Sequence, residues 1–385
     1  MIYDLRFTIG RRLCGRAQSL SLVTLLTASA FSLQPSAVWA QGSLTPPGAP
    51  APTMITLAQI EPRTPITNTT AVTISAPGSY YLTANIAVTS GNAITIATNN
   101  VTLDLNGFTL SSTEASPTGT GILLTGARSR ITIRNGIIQG NVTYNGSTFA
   151  GGGFAYGIYY SGLPRNVRVT DVSVSGFLDG GLVLRANSAT VVDRCSVDTV
   201  GGDGIAADSV ANSVAYICGS YGIIASSAHN SYGYATGNSD GLYVSTAENC
   251  YGISNTGTGV YAIYSALNCF GNSSSGDGLD AVTAQDSYGI SSGRNGLNVT
   301  VASNCYGSGG DGYTGLIAYT AHNCYGNSDT GIGLDATIAA NCYGASGSGE
   351  GLVAFNAGVM CCGLRTTPEG YNCVINETLG TIQLP

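Results

Sequence analysis

The chain has 385 residues, of which only 9% are charged and 54 are glycine, and its formal net charge is −7. All 14 basic residues are arginine, and from Cys195 onward only Arg294 and Arg365 remain; so cation-poor a surface argues against a nucleic-acid partner. Few charges and much glycine would suit disorder, but 43% of the residues are apolar and they recur in register, which predicts a folded repeat array.

Residues 1–40 read as a signal peptide. Arg6, Arg11, Arg12 and Arg16 precede the apolar run "LSLVTLLTASAF" (Leu20 to Phe31), and Val38 and Ala40 are the small residues of a cleavage site before Gln41. The run is too short and too rich in Ser and Thr to span a membrane, and no later segment reaches spanning length. The expected destination is outside the cytoplasm, secreted or in the cell envelope. Removing the signal leaves 10 basic residues (14 less 4) against 20 acidic (21 less 1), a charge near −10. Residues 41–60, with "TPPGAPAPT" (Thr45 to Thr53), form a Pro-rich flexible lead. Residues 61–385 are expected to form one domain with an N-terminal cap and an irregular C-terminal end.

The first half of that domain carries short alternating runs separated by uneven loops: "PGSYYLTANIAV" (Pro77 to Val88), "ITIATNNVTLDLNGFTLSS" (Ile94 to Ser112), "RITIRNGIIQG" (Arg130 to Gly140) and "NVRVTDVSVSGF" (Asn166 to Phe177). Alternation at period two is the pattern of strands, and nothing has helical length. The second half is regular. Ser213, Ser231, Cys250, Cys269, Ser287, Cys305, Cys324 and Cys342 open equivalent segments at intervals of 18, 19, 19, 18, 18, 19 and 18, and Cys195 lies 18 residues before Ser213. A period this tight defines a solenoid in which each repeat is one coil.

Within the coil one column reads Leu242, Tyr261, Leu279, Leu297, Leu316, Leu334, Leu352, and two residues on come Val244, Ile263, Ala281, Val299, Ala318, Ala336, Ala354. Their spacing predicts inward-facing positions on stacked parallel strands. Asn212, Asn230, Asn249, Asn268, Asp286, Asn304, Asn323 and Asn341 form a second column. Asn tolerates the left-handed backbone of a tight corner, and stacked amides can bond from coil to coil, so an asparagine ladder inside the corner is expected.

From about Ile66 to Gly380 the quoted runs resemble the secreted right-handed parallel β-helix proteins of the pectin-lyase-like superfamily. The resemblance implies an all-β, right-handed parallel β-helix, with 18–19-residue coils in the C-terminal half and longer, looped coils in the N-terminal half. The handedness comes from the resemblance, not from the period. The fold hosts many functions. The Gly-His-Gly segment of its polygalacturonase-like hydrolases is absent around His229 and His322, as is the Asp-Pro-His-Asp motif of alginate epimerases, so no catalytic role is carried over.

Three residue sets bear on function. Tyr232, Tyr251, Phe270, Tyr288, Tyr306, Tyr325 and Tyr343 form an aromatic column that would span ~29 Å at strand spacing. Such a strip can stack on sugar faces or simply stiffen the coil by self-stacking. The arginines and aspartates of the early coils, with Arg134, Arg168 and Asp171 at their centre, could clamp an acidic sugar or be cross-strand ion pairs, as Asp104 with Arg134. The cysteines of the repeat column exchange freely with Ser and read as buried, unbridged thiols. Neither these nor Asp203, Asp240, Asp277 and Glu350 before the Gly-Leu corner have metal-ligand spacing, so neither metal nor cofactor is expected. The expectation is an exported module that binds a polysaccharide or cell-surface glycan at the aromatic column, without assignable catalysis. A lyase or hydrolase of acidic polymers acting at Arg134, Arg168 and Asp171 and a purely structural envelope protein are the alternatives.

Overall fold

The computed structural model describes residues 61–184, 188–366, 369–371 and 373–375. The expected signal peptide and Pro-rich lead, residues 1–60, lie outside the described residues. The described chain, part of the compact unit Thr56–Pro385, is an all-β parallel solenoid of about 16 turns without a helix. Parallel strands stack coil on coil, and the early coils carry one antiparallel hairpin, Asn141–Tyr144 with Phe149–Gly152.

One buried column continues through the described coils from Ile94 onward: Ile94, Ile122, Ile158, Leu182, Ile205, Ile223, Leu242, Val260, Leu279, Leu297, Leu316, Leu334 and Leu352 pair successively. Each is fully buried. The interval along it falls from 28 and 36 residues in the first coils to 18 or 19 from Ile205 onward. The longer coils enclose large side chains, including the stacked, fully buried Phe154 and Phe177. The short coils are filled mainly by Leu, Ala, Cys and Ser.

What closes the short coils is glycine. A methyl group built on Gly252, Gly271, Gly289, Gly307, Gly326 or Gly344 would sit 2.0 to 2.2 Å from the carbonyl oxygen of Gly259, Gly278, Gly296, Gly315, Gly333 or Gly351 across the interior. Opposing walls therefore meet backbone to backbone there, with no layer of side chains between them. At the adjoining turn, buried serines such as Ser291 and Ser328 donate to a carbonyl of the preceding coil (2.6 and 2.7 Å) and accept an amide three residues on (2.8 and 2.9 Å).

One expected assignment is corrected. Val260 and Ala262, not Tyr261 and Ile263, occupy the two inward columns of their coil, paired with Leu242 and Val244. The extra residue of this 19-residue interval lies inside the strand Val260–Leu267, where the register shifts between Ala262 and Ser265. Such a bulge reverses side-chain facing relative to a count made back from the anchor. Tyr264 is pushed out to 63% exposure, and Tyr261 turns outward.

Candidate functional site

The corner that opens each repeat rests on local backbone chemistry. Asn212 through Asn341, Asp286 included, have φ between 48° and 55°, and Asn135, Asp171 and Arg194 continue this left-handed geometry toward the N-terminus. Asn230 Nδ2 donates to Asn212 Oδ1 (3.2 Å), Asn268 to Asn249 (2.7 Å), Asn304 to Asp286 (2.9 Å) and Asn323 to Asn304 (3.2 Å). The ladder exists, but on the surface: these asparagines are exposed. The left-handed turn sends the Asn side chain out and the following residue in.

That following residue explains the exchange of Cys with Ser. Cys250, Cys305, Cys324 and Cys342 each donate through Sγ to the carbonyl two residues back at 3.2 Å. Ser231 and Ser287 make the same bond through Oγ at 2.8 Å. Either side chain tethers the corner. The thiols are free and buried, and Cys305, Cys324, Cys342 and Cys361 follow one another in file, near enough for neighbours to act on each other's titration. Interaction with the Cys305 and Cys342 thiols, then burial, pushes the Cys324 thiol up.

The predicted aromatic column is present, on outward positions beside these corners. Tyr232, Tyr251 and Phe270 stack at 5.3 and 4.5 Å, and Tyr306, Tyr325 and Tyr343 at 5.2 and 5.1 Å, with Tyr288 tilted against Tyr306 at 5.8 Å. Most of the rings are half-buried; Tyr288 is 52% exposed. Ring faces thus lie against neighbouring rings, and edges and hydroxyls face solvent. Burial and the neighbouring phenols of Tyr216, Tyr251 and Tyr234 push Tyr232 up to about 12.

The charged residues of the early coils form two separate ion-pair groups. Asp104, almost wholly buried, is held by Arg63 (3.2 Å), Arg134 (3.0 Å) and Asn135 (3.2 Å), and Arg63 also binds Glu61 at 2.7 Å. Arg194 binds both oxygens of Asp171 at 2.7 and 2.9 Å and also contacts Asp193. The Arg194 guanidinium holds Asp171 below the usual carboxylate range. Asp171 and Arg194 face each other because both fill the left-handed corner position. Arg134 and Asp171 thus have partners of their own, while Arg168 is exposed three residues before Asp171 on the same strand, Arg165–Phe177.

A second aromatic row stands on another outward column, one that the repeat pattern does not mark. Tyr221 meets Tyr243 edge-on at 5.6 Å, and Tyr243 stacks on Tyr261 at 5.3 Å and 3°. The residues that continue this outward column are Asp280 and Asn298. Being short, they leave beside the Tyr261 ring a depression of about 240 Å³, walled by Ile263, Val282 and Thr300. Asn298 Nδ2 donates to Asp280 Oδ2 at 3.3 Å. Burial, then the charge of Asp277, pushes Asp280 up, against the opposing effects of Asn298 and Arg294. Tyr243 and Tyr261 stand 18 residues apart in the sequence, but counting Tyr261 as an inward residue hid the pairing.

Among the described residues no group of three or more His, Cys, Asp or Glu is arranged to hold a metal ion, and no helix is long and apolar enough to cross a membrane. No family model and no curated protein matches the chain. Among solved structures it is similar to the enzymatically active domain of bacteriophage CBA120 tailspike protein 2, at 14% identity and a TM-score of 0.25 over 82% of this chain and 42% of that one. It is also similar to the Dettilon tailspike protein, at 12% identity and a TM-score of 0.30 over 81% of this chain and 61% of that one. The chain spans less than two thirds of either.

Proposed function

We propose that the protein is an exported binding module that holds an extended polysaccharide or cell-surface glycan along its lateral surface, without a catalytic step. The observation that carries this reading is the aromatic column Tyr232, Tyr251, Phe270, Tyr288, Tyr306, Tyr325 and Tyr343, with ring centroids 4.5 to 5.8 Å apart wherever its rings touch. The strands that carry it are hydrogen-bonded from coil to coil and most rings lie against a neighbour, which lowers the entropic cost of ordering them at binding. Their edges and hydroxyls offer repeated weak contacts to a chain of sugars, and such contacts add through multivalency. The net charge of −7 disfavours polyanions and favours neutral glycans. The alternative, catalysis on an acidic polymer at Arg134, Arg168 and Asp171, gains no support from an arrangement in which Arg134 and Asp171 are each engaged by other residues.

The test is retention of the full chain on immobilised cellulose, mannan and polygalacturonate, with reducing ends and unsaturated products measured together. Retention on a neutral polymer, lost when Tyr288, Tyr306 and Tyr325 are replaced by Ala in a still-folded chain, is the expected result. Release of unsaturated sugars that disappears with Arg168→Ala would replace this reading with the lyase.

A further inference from the structure

The rings of the long column cover one another, so few faces are left for a sugar to lie on. Tyr261 is different. One face is stacked on Tyr243 at 5.3 Å, and on the other side the column continues with Asp280 and then Asn298 instead of a ring. Among the described residues no ring stacks on that second face, which borders the depression of about 240 Å³. The volume is below the roughly 300 Å³ at which drug-sized pockets begin, and suits one six-membered sugar ring.

Its walls carry what a pyranose needs. Sugar C–H groups gain from an aromatic face. Hydroxyls need paired donors and acceptors, and Asp280 with Asn298 supplies both: the carboxylate accepts, and the amide donates and accepts. The two side chains already bond to each other at 3.3 Å, so their polar ends are positioned before a ligand arrives. Ile263, Val282 and Thr300 give the rim two apolar side chains and one hydroxyl. The adjacent carboxylates also select. Asp277 stands close enough to act on Asp280 through its charge, with Arg294 opposing it; two carboxylates against one guanidinium leave a net negative charge, so a sugar acid brought to this place would meet like charge. Because Tyr243 and Tyr261 lie on the wall opposite the long column, back to back across the glycine contact of Gly252 with Gly259 and Val260, the two surfaces are independent.

We infer that the depression bounded by Tyr261, Asp280 and Asn298 is a subsite for one neutral hexopyranose unit, stacked on the free face of Tyr261 and hydrogen-bonded to Asp280 and Asn298. The inference rests on the reading of the protein as a glycan binder and adds a defined place and ligand chemistry to it.

The test measures binding of the full chain to cellohexaose, mannohexaose and hexagalacturonate by calorimetry and by saturation transfer to the sugar protons. The wild type binds at least one neutral hexasaccharide. Tyr261→Ala weakens that binding at least 10-fold, whereas Tyr261→Phe, which keeps the ring face, stays within about 3-fold. Asp280→Tyr continues the stack into the depression; it abolishes binding while the fold, followed by circular dichroism, is kept or strengthened. This variant preserves the test if Tyr261→Ala fails to fold. Unchanged binding in Asp280→Tyr, or tighter binding of hexagalacturonate than of the neutral sugars, overturns the subsite. If binding is insensitive to Tyr261 and Asp280 but lost with the long-column replacements, the glycan reading stands and the subsite falls. If the wild type binds no sugar here and no neutral polymer in the retention assay, both fall.

Discussion

Replacing Gly307 by Ala tests whether the short coils are closed by backbone contact. The new methyl group would lie 2.2 Å from Gly315 O, 2.8 Å from Gly315 C and 3.0 Å from Leu316 Cβ. Ordinary contact begins near 3.4 Å, so the two walls must separate by about 1.2 Å, and no flexible side chain can yield instead. Overpacking of this kind costs about 1–3 kcal/mol. Gly315 O also accepts the amide of Leu297 from the neighbouring coil at 2.9 Å, and losing that bond adds about 1 kcal/mol. The expected destabilisation is on the order of 2–4 kcal/mol, felt first in the coils on either side because a solenoid is stabilised by its nearest neighbours. Urea melts by circular dichroism, with hydrogen exchange at the Leu297 amide, measure it; Ser308→Ala, one residue along, should change stability by no more than about 0.5 kcal/mol. A Gly307→Ala chain as stable as Ser308→Ala, with the Leu297 amide still protected, would refute the backbone-contact account.

Three further outcomes are expected. Cys324→Ser keeps the tether to the His322 carbonyl, seen at 3.2 Å for the thiol, and leaves the melting curve nearly unchanged, whereas Cys324→Ala loses it and costs on the order of 1 kcal/mol; equal effects of the two would refute the tether, and alkylation of the denatured, unreduced chain should label Cys250, Cys269, Cys305 and Cys324 as free thiols. At Asn323, with φ of 54°, Ala should cost about 1–2 kcal/mol and Gly clearly less, because the exposed amide bond matters less than the left-handed backbone; a Gly variant as unstable as the Ala variant would shift the weight to the ladder. Burial pushes the carboxyls of Asp240, Asp280 and Asp335 above their ordinary value of 3.8, so the folded chain holds these protons more tightly than the unfolded one. Their contribution therefore improves as pH falls through the raised folded values and levels off below about 3.8; urea melts of Asp240→Asn with Asp280→Asn should exceed the wild type in stability near neutral pH, with the margin shrinking in acid, and a pH-independent margin would contradict the raised values.

Much of this protein is determined by residue order alone. The period of 18 or 19, the Leu column, the left-handed Asn corner and the Tyr column are local or repeating features, and stacking identical coils converts repetition in the chain into alignment in space. The exchange of Cys with Ser was visible as well, though its cause, a bond to the carbonyl two residues back, needed the corner's geometry. Other features belong to the tertiary structure because they depend on where one inserted residue falls. The extra residue near Tyr264 could sit in a turn or in a strand with little change in local preference; only packing of Val260 and Ala262 against the neighbouring coils places it in the strand and turns Tyr261 outward. The same holds for ring faces, since whether a tyrosine is covered depends on the residue one coil away, which is Phe270 for Tyr251 and Asp280 for Tyr261. Residue order sets which side chains repeat; the register between coils decides which of them remain open to a ligand.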